Sequence, residues 1–140
     1  MIVPDTNLLL YAHNESSMHF SKAKTWWLAC LAGDEQIRIP IVVAFGFVRI
    51  ATNARLFPKA MSSGEAVTAV QSWSNSAVVS IVEEQYRESV FSLIKQVGAR
   101  GNLVTDAQIA AVALEENGVL HTADSDFAQF PGVRIFNPLI

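Results

Sequence analysis

Short apolar runs alternate along the chain with longer segments in which apolar residues recur at every third or fourth position. The short runs are typical of buried strands, and the longer segments are typical of amphipathic helices. Because strands that alternate with helices are joined by right-handed crossovers, the pattern favours an α/β fold with a mainly parallel sheet. The predicted strands are residues 2–4, 36–39, 77–82, 119–122 and 133–136.

Side chains that cap helix ends refine the prediction of the helices. The pairs Ser62–Glu65 and Thr105–Gln108 both match the capping box, in which Ser or Thr is followed three residues later by Glu or Gln. The second box predicts a helix from Asp106 to about Asn117, with Gly118 in a left-handed conformation at its end. Asp106 would then occupy the first helical turn. The other predicted helices are residues 8–12, 18–32 after a Ser17 cap, 41–52, 63–74 and 84–97.

The composition limits the number of domains. Of the 140 residues, 51% are hydrophobic and 16% are charged, which is enough apolar material for one core, so we expect a single domain over residues 1–140. A charged fraction below the roughly 25% of average soluble proteins excludes intrinsic disorder and suggests that a partner or a second copy covers part of the surface. The single cysteine, Cys30, excludes a disulfide framework and a thiolate zinc cluster.

The chain carries no sequence signal for a membrane or for secretion. The uncharged apolar stretch at residues 39–48 is about half as long as the roughly 20 residues that a membrane span requires. The N-terminus lacks a basic segment and reaches an acid at Asp5, which is unlike a secretory signal. We therefore expect a cytoplasmic protein without a membrane segment.

Four aspartates fall where the predicted elements begin or end. Asp5 follows the first strand, Asp124 follows the strand at 119–122, and Asp106 opens the helix before that strand. Each of these aspartates also has a structural alternative, because aspartate is favoured at helix starts and is common in turns. Asp126, the fourth, lies in the predicted turn after Asp124. Ligands of parallel sheets bind beyond the carboxyl ends of the strands. If the carboxylates converge there, their repulsion requires a raised pKa or a hard cation such as Mg²⁺ or Mn²⁺, and such a site suits phosphodiester hydrolysis.

Three segments resemble the signature blocks of PIN-domain ribonucleases: VPDTNLL at 3–9, LVTDAQIAA at 103–111 and HTADSDF at 121–127. The segment FVRIATN at 47–53 and the chain end at 130–139 resemble the VapC toxin branch of bacterial type II toxin–antitoxin pairs. The order, spacing and total length are similar as well. The resemblance therefore spans nearly the whole chain.

The resemblance implies a fold, an activity and partners. The fold is a PIN-like (Rossmann-like) three-layer arrangement, with a mainly parallel central sheet flanked by helices. The activity is that of an Mg²⁺-dependent endoribonuclease toxin, with Mn²⁺ as a substitute ion. The partners are an RNA substrate, a VapB-type antitoxin that holds the toxin inactive, and a second copy of the chain in a homodimer.

The resemblance also assigns roles to the acidic residues. Asp5 and Asp106 would be the main metal ligands, and Asp124 would complete the acidic cluster. Asp126 would assist catalysis or orient water. The residues implied to form hydrogen bonds around these ligands are Thr6, Asn7 and Thr122.

One position departs from the family pattern. Many PIN domains carry a further acid just before the Phe-Val-Arg segment, whereas this chain has Gly46 there and no glutamate in residues 36–64. A cluster one carboxylate short would bind metal more weakly, change its metal preference or hold one ion instead of two. The alternative function is therefore a catalytically weakened PIN-like protein that acts mainly by binding RNA or an antitoxin.

The same stretch, residues 36–64, is basic. Arg38, Arg49, Arg55 and Lys59, with no acid among them, give it a charge of +4 in a chain whose net charge is −3. We predict that Arg49, Arg55 and Lys59 contact RNA phosphates, which would make binding salt-dependent without specifying sequence. The alternatives are a solvated basic face, salt bridges to acidic helices, or pairing of Arg49 with a carboxylate or an antitoxin residue.

The aromatic residues favour packing over chemistry. Trp26 and Trp27 lie on an amphipathic helix, so we predict that they, with Trp73, anchor the core or an interface rather than stack on bases. The three histidines show no metal-ligand spacing. We expect them to pack or to lie at the surface rather than to act as a catalytic base.

Overall fold

The computed structural model describes residues 1–83 and 86–140, and in this part of the chain a five-stranded sheet is flanked by six α-helices. The strand order is β3-β2-β1-β4-β5, and every neighbouring pair is parallel. The predicted α/β class with a parallel central sheet is confirmed. The strands are β1 Ile2–Pro4, β2 Ile37–Pro40, β3 Val79–Val82, β4 Val119–His121 and β5 Arg134–Phe136.

Helices follow most of the strands and cover the sheet. A short 3-10 helix, Ser125–Gln129, lies between β4 and β5. No helix within residues 1–83 and 86–140 is both long and apolar enough to cross a membrane. The α-helices are α1 Thr6–His13, α2 Phe20–Ala32, α3 Ile41–Ala51, α4 Ser63–Trp73, α5 Arg87–Val97 and α6 Asn102–Glu115.

The register of β1 against β4 determines what meets at one edge of the sheet. Ile2 lies opposite Val119 and Pro4 lies opposite His121. Because the two strands are parallel and end in register, the residues that follow them emerge side by side. Asp5 is the first of these residues, and its backbone N–H donates to the carbonyl of His121 at 3.0 Å.

Helix α6 packs closely against this central pair because its buried face is built from alanines. Ala107, Ala110 and Ala111 are completely buried, as are Val3 of β1 and Leu120 of β4. Small side chains bring the helix axis near the sheet, and this close packing positions the remaining residues of α6 relative to β1 and β4.

The tryptophans belong to the core, as predicted. Trp26, Trp27 and Trp73 are all buried, and the ring of Trp73 packs edge-on against Phe47 with centroids 4.9 Å apart. His13 completes this cluster, since its Nδ1 is 2.8 Å from the carbonyl oxygen of Leu9 and its Nε2 accepts from Trp73 Nε1 at 3.3 Å. This histidine therefore has a packing role.

The predicted start of α6 is wrong. The helix begins at Asn102, and its N-cap position is Gly101, whose φ of +57° is readily adopted only by glycine. Thr105 and Gln108 therefore lie inside the helix rather than in a capping box, and Asp106 lies in the second turn. A capping-box pattern is only four residues long, so it also occurs by chance within helices.

The predicted left-handed residue at the end of α6 is also misplaced. Asn117 takes the positive φ, at +54°, and asparagine tolerates this conformation better than most residues. Gly118 meets a different constraint. A Cβ at this position would lie 3.2 Å from both the Met1 carbonyl oxygen and the Val3 side chain, so the close approach of β1 favours glycine.

Most other boundaries differ from the prediction by one or two residues. Helix α2 begins at Phe20 rather than residue 18, because the Ser17 hydroxyl accepts from the N–H of His19 at 3.1 Å and closes the preceding turn instead. The predicted start of α5 at residue 84 lies outside the described residues. Its predicted end at Gly98 is confirmed, with φ +70°.

The capping box at the start of α4 is confirmed. The Ser62 hydroxyl accepts from the Glu65 N–H, and the Glu65 carboxylate accepts from the Ser62 N–H, both at 3.1 Å. We expect Ser62→Ala to lower the free energy of unfolding by about 1 kcal/mol, because a helix N–H loses its partner. Urea unfolding measures the change. The matched control is Ser63→Ala, an exposed neighbour outside the box; equal losses in both variants would contradict the role of the box.

Candidate active site

Four aspartates line one cleft at the carboxyl end of the central strands. Asp5 follows β1, Asp106 projects from α6, and the 3-10 helix carries Asp124 at its start and Asp126 within it. The cleft has a volume of about 1030 Å³ and is lined on its other side by α3. All four aspartates singled out from the sequence therefore share one cleft.

Three of these carboxylates form a compact trio. One oxygen from each of Asp106, Asp124 and Asp126 lies within 4.8 Å of the others. The local turn brings the last two together, because the N–H of Asp126 donates to Asp124 Oδ1 at 2.8 Å. A set of oxygen donors without nitrogen or sulfur matches the preference of Mg²⁺ and Mn²⁺, so the trio fits a hard divalent cation.

Asp5 lies outside the trio, buried at the base of the cleft with 4% of its surface exposed. A short chain of hydrogen bonds connects it to the surface. The Asp124 N–H donates to Thr122 Oγ1 at 2.9 Å, and this hydroxyl donates in turn to Asp5 Oδ2 at 2.8 Å. Thr122 therefore fixes the orientation of Asp5 and the position of the turn that carries Asp124.

Burial and mutual repulsion disfavour the charged forms of two of these aspartates. The pKa of Asp5 is raised from 3.8 to about 6, mainly by burial; the hydrogen bond from Thr122 and the N–H groups at the start of α1 oppose this rise, and Asp124 adds to it. The pKa of Asp106 is also raised from 3.8 to about 6, by burial and then by Asp5, Asp124 and Asp126. A cation in the cleft would relieve both effects.

The predicted supporting residues also lie at the cleft. Thr6 and Asn7 begin α1 next to Asp5 and line the wall, with Thr6 buried and Asn7 exposed. Gly46 of α3 lies across from them. A Cβ at Gly46 would be 3.5 Å from both Thr6 Cγ2 and Thr6 Oγ1, which is an ordinary contact, so the wall at this point accommodates a Cβ.

The three predicted RNA-binding residues do not lie at one site. Arg49 lines the cleft and has no carboxylate within 4.0 Å in residues 1–83 and 86–140. Arg55 and Lys59 are exposed outside it, and Lys59 borders a small separate pocket beside His13. Arg38 lies 4.0 Å from Glu116 and forms the type of salt bridge weighed as the alternative.

The cleft also has an apolar part that the sequence patterns did not predict. Phe45 and Leu56 line it with 68% and 59% of their surfaces exposed, and Asn102 and Gln108 line the side formed by α6. Phe45 was hidden in a run of apolar residues that predicted a mostly buried helix. The available signal was its spacing of four residues from Arg49, which puts both on one helical face.

Comparison with known proteins agrees with this geometry. The family model of the PIN domain matches residues 2–133. The chain is 35% identical to "Ribonuclease VapC37" of Mycobacterium tuberculosis over 140 residues, covering 99% of this chain and 97% of the relative. The chain belongs to the VapC group of PIN-domain proteins. "Ribonuclease VapC33" of the same species is 32% identical to this VapC-group chain over 141 residues, covering 99% of each.

Solved structures share the fold of this PIN-domain chain at lower identity. VapC20 of Mycobacterium tuberculosis, described as a sarcin-ricin loop cleaving toxin, aligns with a TM-score of 0.70 and 20% identity over 96% of this chain and 99% of its own. VapBC2 of Rickettsia felis, bound to a DNA fragment from its promoter, aligns with a TM-score of 0.69 and 22% identity over 98% of both chains.

The raised pKa of Asp5 predicts a pH dependence of stability in the absence of metal. The folded chain binds the Asp5 proton more tightly than the unfolded chain does, so the contribution of Asp5 to stability is greatest below pH 3.8 and is lost as pH rises through about 6. Asp106 contributes in the same direction. We expect Asp5→Asn to remove part of this fall, on the order of 2 kcal/mol.

Urea unfolding in EDTA, repeated from about pH 4 to about pH 7, measures this slope. The control variant is Asp34→Asn, which removes an exposed carboxylate in the loop between α2 and β2. Identical slopes for wild type and Asp5→Asn would show that the buried carboxylate does not destabilise the fold.

Proposed function

We propose that the chain is a divalent-metal-dependent endoribonuclease toxin that a VapB-type antitoxin holds inactive. The observation that carries the proposal is the trio of carboxylates, with oxygens within 4.8 Å of one another, in a PIN-domain chain. Two relatives above 30% identity are named ribonucleases, which supports RNA as the substrate.

In this proposal Asp5, Asp106 and Asp124 are the metal ligands and Mg²⁺ is the ion, with Mn²⁺ as a substitute. Asp106 and Asp124 belong to the compact trio, and Asp5 approaches them from the base of the cleft. A bound cation would lower the pKa of an attacking water and neutralise charge on the scissile phosphate and its leaving oxygen.

Other residues of the cleft would orient the attacking water, the metal ligands and the RNA. Asp126 is exposed at the mouth of the cleft, where it would accept a hydrogen bond from the attacking water. Thr122 holds Asp5 through its hydroxyl, and Thr6 and Asn7 line the wall beside Asp5. Arg49 is the cleft cation without a carboxylate partner in the described part of the chain, so it would contact a phosphate of the RNA. Arg55 and Lys59 would contact the RNA outside the cleft.

The proposed partners are a VapB-type antitoxin and a second copy of this chain. Structural neighbours that are VapBC complexes support the first partner: one comes from Rickettsia felis and another from nontypeable Haemophilus influenzae. The low fraction of charged residues, 16%, and exposed apolar residues such as Met18 and Leu28 leave surface for both partners. Because the proposed substrate is RNA and the proposed partner is an antitoxin, we propose that the protein acts in the cytoplasm.

Cleavage of pooled RNA by the purified, partner-free chain tests the proposal. We expect cleavage with Mg²⁺ or Mn²⁺, none with EDTA, and a loss in Asp106→Asn at least as large as the roughly 10- to 100-fold typical of residues that only support metal ligands. Asp34→Asn is the control for loss of a remote carboxylate. Cleavage that persists in EDTA, or at the wild-type rate in Asp106→Asn, would refute a metal-dependent site at the trio.

Gly46 favours a second candidate function, in which a weakened site serves mainly to bind RNA or the antitoxin. The substitution Gly46→Glu separates the two functions, because Gly46 lines the cleft and the wall beside Thr6 accommodates a Cβ. If the chain is a competent nuclease, we expect the wild-type chain to cleave RNA and the Gly46→Glu variant to cleave it at a lower metal concentration. Cleavage in Gly46→Glu alone would identify the binding function. Gly46→Ala controls for the added bulk without charge.

A further inference from the structure

We propose that Phe45 is a positioning residue that stacks on an unpaired base of the RNA beside the scissile phosphate. This inference rests on the proposed function and extends it to substrate recognition. The feature that carries it is a large aromatic side chain, 68% exposed, in the wall of the cleft that contains the aspartates.

The two sides of the cleft differ in chemistry. Asp106 of α6 and the two aspartates of the 3-10 helix form an acidic side, on which Ile109 and Val112 of α6 also line the cleft. Helix α3 and the segment after it form an apolar side, on which the lining residues are Ile41, Val42, Phe45, Ile50 and Leu56. A nucleotide also has a charged part and an apolar part. Its phosphate interacts with cations, and the faces of its flat base are largely apolar.

Phe45 and Arg49 form a pair on the apolar side. They are four residues apart on α3, so they lie on one face of the helix. Arg49 provides a cation for a phosphate, and Phe45 provides an aromatic face for the adjacent base. Gly46 lies between them in sequence and adds no side chain that would separate the ring from the acidic side.

The dimensions agree with a strand of RNA. At about 1030 Å³ the cleft is slightly larger than the roughly 300–1,000 Å³ of typical small-ligand pockets, so it has room for a nucleotide. Stacking on a side chain requires a base that is free of its own helix, and such bases occur in single strands and loops. The apolar side therefore favours unpaired RNA over a duplex.

Binding to RNA without cleavage tests the inference directly. Fluorescence anisotropy measures the affinity of Asp106→Asn for a short single-stranded RNA in EDTA, alone and combined with Phe45→Ala or Phe45→Trp. We expect Phe45→Ala to weaken binding by about 5- to 100-fold, and Phe45→Trp to preserve it. The matched control is Phe91→Ala, which removes a similarly exposed phenylalanine, 52% exposed, from α5 outside the cleft.

A substrate series identifies the contact as stacking. Replacing one nucleotide at a time by an abasic unit is expected to weaken binding most at one position, and that loss is expected to disappear in Phe45→Ala. Equal affinity for a duplex of the same sequence, equal effects of Phe45→Ala and Phe91→Ala, or no measurable RNA binding would each overturn the inference. So would a Phe45→Ala variant that loses only antitoxin binding or self-association.

Different results would refute the stacking role of Phe45 and the proposed nuclease activity. Wild-type chain that cleaves RNA in Mg²⁺ at an affinity and rate unchanged by Phe45→Ala would refute the stacking role and keep the nuclease. Chain that binds single-stranded RNA through Phe45 and never cleaves it would refute the nuclease and keep the stacking role.

Discussion

The parallel pairing of β1 with β4 is the constraint on which the rest of the structure depends. Both strands are only three residues long, so their register alone decides that Asp5 and Thr122 emerge together at one edge of the sheet. The alanines of α6 then allow that helix to lie close enough for Asp106 to reach the same edge. Gly118 permits the tight connection from α6 into β4 beside β1.

The charges of the site are concentrated in a chain that has few of them. Four carboxylates share a cleft whose other side is apolar, and the cleft cation, Arg49, is on that far side. The fold therefore buries and groups carboxylates at a cost in stability, in agreement with the pKa values of Asp5 and Asp106, which are raised first by burial and then by the neighbouring aspartates. Such an arrangement is expected where a ligand of opposite charge repays the cost on binding.

Sequence patterns predicted the elements because apolar periodicity reflects local chemistry, and the edge of the parallel sheet predicted that the four aspartates meet, whereas their roles stay a prediction. Apolar periodicity located the strands, and the position of Asp5 after β1 followed directly from it. The failures had non-local causes. Gly101 and Asn117 set the ends of α6 through backbone conformation, which a four-residue capping pattern does not report. The exposure of Phe45 depends on what packs against α3, and the compact trio depends on a turn that brings Asp126 beside Asp124.

The hydroxyl of Thr122 is the least conspicuous part of the site and the one with the broadest consequence. It accepts from the turn that carries Asp124 and donates to Asp5, so one oxygen atom sets the separation of two acids that are distant in sequence. A chain with valine at this position would keep every carboxylate and nearly the same shape, yet it would lose both bonds. Counting acids in a sequence is therefore an incomplete criterion for an intact site of this kind, and the residue after β4 is worth the same attention.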